Sequence, residues 1–372
     1  MEIAQYLSPA DVSACIHKTG SSLYERTVFF KPGDSISLSD FNIVFLGITD
    51  DRGSDNEGSS AASLSIRKSL YNLQIHSKAF RFIDLGNVIT GSSKTDTYFA
   101  IREIVTHLSN FEVFVFIFGA TQDMLPSIVS NAAREKQHKK ITIIDSSVDF
   151  GFVHEYSNKS YLKDIKSKLQ VTHLASQAYF LSASDLENID KSGIKLVRLG
   201  KIREDIRKTE PLVRDSFLLS FDIGAIRQCD APGNASASPN GLYAEESCQI
   251  ARYFGLSEQS RFFHLSEINP SLDFNNQTSS LGAQIIWHVI DGIISRKEDY
   301  PSAPENSLQK YIVNSVDSFQ NIVFYKSFKT DRWWIEIESQ NSKHIIPCNH
   351  EDYLTACNNQ IPEIYIDELS RL

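Results

Sequence analysis

Residues 220–247 read SFDIGAIRQCDAPGNASASPNGLYAEES. They begin inside the apolar run SFLLSFD, which predicts a strand over 217–221, and lead into a stretch of helical texture at 243–254. Asp222 therefore stands where a strand ends and a loop begins. Outward from this unit, residues 39–296 repeat the alternation of short apolar runs and amphipathic stretches that marks βα units around a parallel sheet. Strands are predicted at 42–46, 80–83, 113–118, 141–144, 178–181, 194–199, 217–221 and 261–265. Helices are predicted at 60–73, 97–108, 125–135, 161–169, 243–254 and 279–294. Most strand runs are largely apolar, as expected when both faces of a sheet are covered, and the fold class is α/β.

The 372 residues are 41% hydrophobic and 22% charged, so the chain buries a sizeable core and is neither disordered nor fibrous. Lys and Arg number 37 against 46 Asp and Glu, and a net charge of −9 argues against affinity built on nucleic-acid phosphates. The start lacks a basic, apolar leader and no run approaches a membrane span, so a cytoplasmic protein without membrane insertion is expected. Cys15, Cys229, Cys248, Cys348 and Cys357 are scattered and odd in number, which predicts reduced thiols.

After Asp299 the texture changes. A proline-bearing linker at 300–307 precedes short strand-like runs at 311–313, 322–328 and 333–337. The expected organisation is an N-terminal segment 1–39, a main α/β domain 40–299 and a C-terminal extension 300–372. Trp333 and Trp334, beside Arg332, suit a core edge first and a partner surface second.

The usual phosphate-loop, dinucleotide, nucleophile-elbow and zinc-protease motifs are absent. What remains is a set of acids at strand ends: Asp145 and Asp149 after ITII, and Asp222 after SFLLSF. Any one alone reads as a cap on the following turn. Together they can share the carboxyl edge of one sheet, where α/β proteins place their sites. The polar loop 50–60 belongs to the same edge.

At this point residues 220–247 resemble the signature of the arginase, agmatinase and formimidoylglutamase (ureohydrolase) superfamily. They follow its order of Ser-x-Asp-x-Asp, Ala-Pro-Gly and Pro-Gly-Gly-x-Thr-x-x-Glu, with substitutions. IDLGNV at 83–88, FGATQD at 118–123, IDSSVDF at 144–150 and EINPSLD at 267–273 resemble further family segments in the family's order. The resemblance covers residues 40–300. It implies a three-layer α/β/α sandwich around a mainly parallel sheet, and commonly a homo-oligomer. It also implies two manganese ions on six side chains, with a bridging hydroxide that attacks a guanidinium or formimino carbon.

Carried over residue by residue, the resemblance retains Asp145, Asp149 and Asp222 as metal ligands. It places Gln122, Ser147 and Gly224 where the family has His, His and Asp. Glu246 matches a glutamate that grips the guanidinium, and Arg227 stands where a further Asp is common. Arg227 is expected to swing toward Asp222 or Asp149 and take a cation's place. His154 reads first as a packing residue and second as a displaced ligand or acid–base. Lys159 and Ser160 fall in the region of a substrate loop; Glu155, Asp123 and Cys229 are near the site in sequence only.

The expectation drawn from these substitutions is an arginase-fold protein without the dinuclear site or any cofactor. It would act as a binding, scaffold or regulatory protein, with a protein partner or copies of itself. The alternative is a divergent metal-dependent hydrolase of non-peptide C–N bonds in linear amidines. There Asp145, Asp149 and Asp222, and conceivably Asp123 or His154, hold one manganese ion while Glu246 orients the substrate. A third reading makes the acids structural caps around a vestigial crevice.

Overall fold

Two runs in which every residue is buried, IVFLG and FVFIF, form the middle of a sheet that helices cover on both faces. The computed structural model describes residues 2–13, 15, 20–34, 37–52, 54–130, 139–150, 161–165, 169–301, 308–314, 321–339 and 342–369. Its main sheet holds β1 (Leu7–Ser8), β2 (Thr27–Phe29), β3 (Ile43–Gly47), β4 (Phe82–Val88), β5 (Phe114–Phe118), β6 (Lys139–Ile144), β7 (Leu169–Ser176), β8 (Lys195–Arg198), β9 (Ser216–Asp222) and β10 (Phe262–Ser266). The order across it is β1-β4-β3-β5-β10-β9-β6-β7-β8, with β2 also on β4. All pairings are parallel except β1 with β4.

The helices are α1 (Leu23–Arg26), α2 (Ala62–Leu70), α3 (Lys94–Leu108), α4 (Leu125–Val129), α5 (Ala183–Ser192), α6 (Leu199–Glu204), α7 (Thr209–Arg214), α8 (Ala244–Gly255), α9 (Gln277–Ile294), α10 (His350–Cys357) and α11 (Glu363–Leu369). Because strand side chains alternate in direction, Phe45, Phe116 and Phe263 pack with α2, α8 and α9 on one face. Val44, Val115 and Ile143 pack with α3 and α4 on the other. The result is the expected three-layer sandwich. The helical stripe in 279–294 is part of α9, with Ile285, Ile286 and Val289 fully buried.

Several boundaries differ from expectation. Of the helix predicted at 161–169, a 3-10 turn covers Tyr161–Asp164, residues 166–168 lie outside the described residues, and β7 begins at Leu169. Polar Gln170, Thr172 and His173 disguise β7, whereas exposed Tyr179 and Phe180 lend a false apolar run to 178–181, which is a 3-10 turn. The N-terminal segment contributes β1 and β2 to the sheet, strands too short to show a pattern. Of the helix predicted at 125–135, α4 ends at Val129, and residues 131–138 lie outside the described residues.

The C-terminal extension forms an antiparallel sheet of β11 (Leu308–Asn314), β12 (Asn321–Ser327), β13 (Trp333–Ser339) and β14 (Ser342–Cys348). Both tryptophans are covered, as the core reading expected. Trp333 packs with Phe324, Ile335 and Tyr353, and Trp334 lies under the Arg214 guanidinium at 4.6 Å. Buried Arg214 also donates to the Trp333 carbonyl at 2.9 Å and pairs with Glu210 at 2.6 Å, fastening the extension to α7. No described helix is long and apolar enough to cross a membrane. The five cysteines are free thiols, as expected.

Two buried sheet histidines set the acid limit of this core. Burial pushes His264 down to about 3 and His173 down to about 4. The folded state keeps both rings neutral, while the unfolded chain protonates them near 6.5, so each contributes stability that is lost as pH falls below about 6.5. Between pH 7 and 4.5 each histidine should cost about 2–3 kcal/mol. Urea melts at those two pH values should show His264→Gln losing less stability than the parent chain.

Candidate functional site

Register determines which side chains meet. Ile144 pairs with Phe221 and Ser266 with Asp222, while Leu265 pairs with Phe118. The carboxyl ends of the adjacent strands β5, β10, β9 and β6 therefore lie level. Just beyond those ends stand Gln122, Glu267, Asp222 and Asp145, with Asp149 one turn further along the chain. This is the sheet edge where ligands of parallel α/β folds bind.

Asp145 is buried, Asp222 and Asp149 are partly buried, and Glu267 is 4% exposed. Burial first, then the charges of Asp149 and Asp222, push the Asp145 carboxyl well above the ordinary range. Burial and then the Glu267 charge do the same to Asp222. Tyr161 is also buried, and its hydroxyl is pushed up by burial and by the charges of Asp145, Asp149, Asp222 and Glu267.

Neutral donors hold this cluster. The Ser147 N–H donates to Asp145 at 3.1 Å, the Ser147 hydroxyl to Asp149 at 2.9 Å, and the Gly224 N–H to Asp222 at 2.6 Å. The Gln122 amide, oriented to satisfy its surroundings, donates from Nε2 to Asp222 Oδ2 at 3.1 Å and to Asp145 Oδ2 at 3.2 Å. Its Oε1 accepts from the Tyr161 hydroxyl at 3.1 Å. Among the described residues neither Asp145 nor Asp222 has an ion-pair partner.

Glu267 was missed in the sequence, although its segment EINPSLD stood out. Its Oε1 accepts from the Gln122 N–H at 2.8 Å and its Oε2 from Asn56 at 2.9 Å. Asn56 and Asn234 both donate to its carbonyl, at 2.8 and 2.9 Å. Glu267 adopts φ 68°, and neighbouring Ala120 adopts φ 55°. A left-handed backbone at non-glycine residues is uncommon, and such strain gathers at functional sites.

Other expectations are corrected. Arg227 does not reach Asp222 or Asp149: its guanidinium pairs with Asp230, at 2.8 and 3.1 Å, and lies 4.1 Å over the Tyr243 ring. A partner three residues away costs less chain ordering than a swing into the cluster. Glu246 is engaged at the start of α8, where its Oε2 accepts from the Tyr243 N–H at 2.8 Å. Asp123 points elsewhere, to Lys94 at 2.7 Å and to the hydroxyls of Tyr98 and Thr121. Cys229 is exposed. His154, Glu155, Lys159 and Ser160 lie outside the described residues.

The arginase family model matches residues 41–291. The chain belongs to the arginase family. Formimidoylglutamase of Bacillus subtilis (strain 168) is 27% identical over 121 residues, 32% of this chain but only 38% of that protein. The formimidoylglutamase of Legionella pneumophila (strain Lens) is 21% identical over 295 residues, covering 72% of this chain and 91% of its own. Among solved structures, B. subtilis formimidoylglutamase superposes with TM-score 0.68 at 19% identity, covering 76% of this chain and 94% of that one. Trypanosoma cruzi formiminoglutamase with Mn2+ gives 0.65 at 18%, covering 71% and 97%.

These relatives overturn the expectation of a non-catalytic scaffold. Arginase-family proteins similar along most of this chain are hydrolases, and they favour the alternative, enzymatic reading. The expectation that no cofactor is needed loses its support with it. Among the described residues no three His, Cys, Asp or Glu side chains stand where they could jointly hold an ion.

Repulsion within the cluster has a measurable sign. With carboxyl pKa values raised, the folded state keeps protons that the unfolded chain releases just above pH 4. Stability therefore falls as pH rises from the ordinary carboxylate range toward the raised values, by at most about 1.4 kcal/mol per pH unit per proton. Asp222→Asn should flatten this decline in chelator-treated protein, measured as urea midpoints between pH 5 and 8. An unchanged slope would place the repulsion elsewhere.

Proposed function

We propose that this protein is a metal-dependent hydrolase of a non-peptide C–N bond in a linear amidine, with a formimino amino acid of the formiminoglutamate type as substrate. The observation that carries this reading is the group of acids gathered at the level ends of β5, β10, β9 and β6, with no ion-pair partner for Asp145 or Asp222 among the described residues. The formimidoylglutamases similar along most of the chain support the substrate class.

Asp145 and Asp222, which have no ion-pair partner among the described residues, would contribute to holding a divalent cation such as manganese. Such a cation, when bound, lowers the pKa of a water and polarises the amidine. The chain's own groups then account for binding and proton movement. An amidinium entering the cluster exchanges water for carboxylates, so its charge is matched where the acids are least tolerant of one another. Glu267, whose Oε1 accepts from the Gln122 N–H and whose Oε2 accepts from Asn56, would be the acid that receives amidinium N–H groups. Two hydrogen bonds, from the Gln122 N–H and Asn56, fix that carboxylate before the substrate arrives, and two more, from Asn56 and Asn234, fix its backbone carbonyl. Asp149, which accepts from the Ser147 hydroxyl, would pass a proton to the departing nitrogen.

The test is glutamate release from N-formimino-L-glutamate by Mn2+-loaded protein, beside urea release from arginine and agmatine. Turnover of the formimino substrate is expected, with Glu267→Gln lowering kcat/KM by about a hundredfold or more, equivalent to ~2.7 kcal/mol. Failure to turn over all three substrates would sink the assignment.

A further inference from the structure

The opposite end of the main sheet carries a cavity of about 540 Å3, between the starts of β6, β9 and β10 and residues Ile346, Pro347 and Glu368 of the extension. Small-molecule sites span roughly 300–1,000 Å3. Most charged groups on its walls already have partners. Arg261 pairs with Glu112 at 2.6 Å and donates to the Phe111 carbonyl. Glu258 accepts from the N–H groups of Asp299 and Tyr300 at 2.9 and 3.2 Å, and the Lys139 ammonium lies 3.9 Å from the centre of the Phe217 ring. Asp215 and Glu368 are the exceptions. The Asp215 Oδ1 is buried and accepts no hydrogen bond, and Glu368 is 7% exposed with neither a hydrogen bond nor an ion pair among the described residues. Asp367, one residue before it, takes Lys195 at 2.9 Å instead. Burial first, helped by the charges of Glu210 and Glu368, pushes the Asp215 carboxyl up to about 6 against the opposing charges of Lys140 and Arg214.

A buried acid without a partner costs free energy that a proton or a bound counter-charge recovers. Here two such acids line one cavity from separate parts of the chain, Asp215 just before β9 and Glu368 in α11. We propose that this cavity is a binding site for a small organic ammonium, whose N–H groups go to the carboxylates of Asp215 and Glu368. An alkylammonium carries three donors on a compact charge, enough to serve both acids at once. Its carbon body meets Phe217, Phe262, Ile346 and Pro347 on the same walls. Those apolar contacts favour an organic cation over a metal ion, and among the described residues no three His, Cys, Asp or Glu could jointly hold an ion. Polyamines and free amino acids both carry such a head group. Only the amino acid brings a carboxylate as well, for which Lys140 and Arg261 stand on the same walls. Asp215 belongs to the main domain and Glu368 to the extension, so the bound ammonium ties the two together at the end of the strands away from the acid cluster.

Titration calorimetry of the full chain at neutral pH with putrescine and with L-glutamate tests the site, with melting temperatures measured in parallel. At least one of the two is expected to bind with a Kd below about 1 mM. Putrescine binding alone identifies a polyamine site, and L-glutamate binding alone an amino-acid site. Asp215→Asn and Glu368→Gln should each weaken that binding about tenfold or more. Asp222→Asn, in the acid cluster at the other end of the strands, should leave it unchanged, which separates this site from that cluster. Without ligand, Asp215→Asn and Glu368→Gln should melt no lower than the parent, because each removes a charge that has no partner. Melting well below the parent in both variants would show that the fold already uses these acids, and would overturn the proposal. So would the absence of binding by either compound up to about 10 mM, or binding that neither substitution weakens.

Discussion

Carboxylates packed together out of water repel, and this repulsion governs the sheet edge where β5, β10, β9 and β6 end. Parallel pairing brings Asp145 and Asp222 to one level, and the following loops add Asp149 and Glu267. Among the described residues, Arg227 is committed to Asp230, Arg52 to Asp50, and Lys94 to Asp123. Asp145 and Asp222 are held instead by the backbone N–H groups of Ser147 and Gly224 and by the Gln122 amide, donors that bring no charge. Such an arrangement leaves Asp145 and Asp222 without an opposing charge among the described residues, and both carboxyls are pushed above the ordinary range.

The loops around the acids are fixed by asparagines. Asn269 donates to Asn56 at 2.9 Å, Asn56 to both ends of Glu267, and Asn234 to the Glu267 carbonyl. This network joins residues more than 200 positions apart and holds Glu267 in its left-handed conformation. The cost of that backbone, of order 1–3 kcal/mol, is offset by hydrogen bonds that a relaxed loop would lack. A carboxylate so fixed would need little reorganisation to meet the cationic substrate proposed above.

The C-terminal sheet contributes elsewhere. Its Ile346 and Pro347 border a cavity shared with Lys139, Lys140 and Phe217, at the starts of β6 and β9. The site lies at the opposite ends of those strands. Arg214, buried between Glu210 and Trp334, makes the extension part of the folded unit without placing it near the acids.

The alternation of apolar runs and amphipathic stretches was sufficient for the α/β class, since burial on both sheet faces demands it. Strand-end position was sufficient for Asp145, Asp149 and Asp222. Sequence alone placed Gln122 as a missing imidazole, because residue type says nothing about which way an amide faces. It could not show Arg227 turning to Asp230, nor Glu246 serving the start of α8, because each choice is a competition between local and distant partners that only folding decides. Glu267 and Tyr161 were invisible as site residues for a related reason. Their roles arise from the level ends of strands far apart in the chain, and that proximity belongs to the register of the sheet.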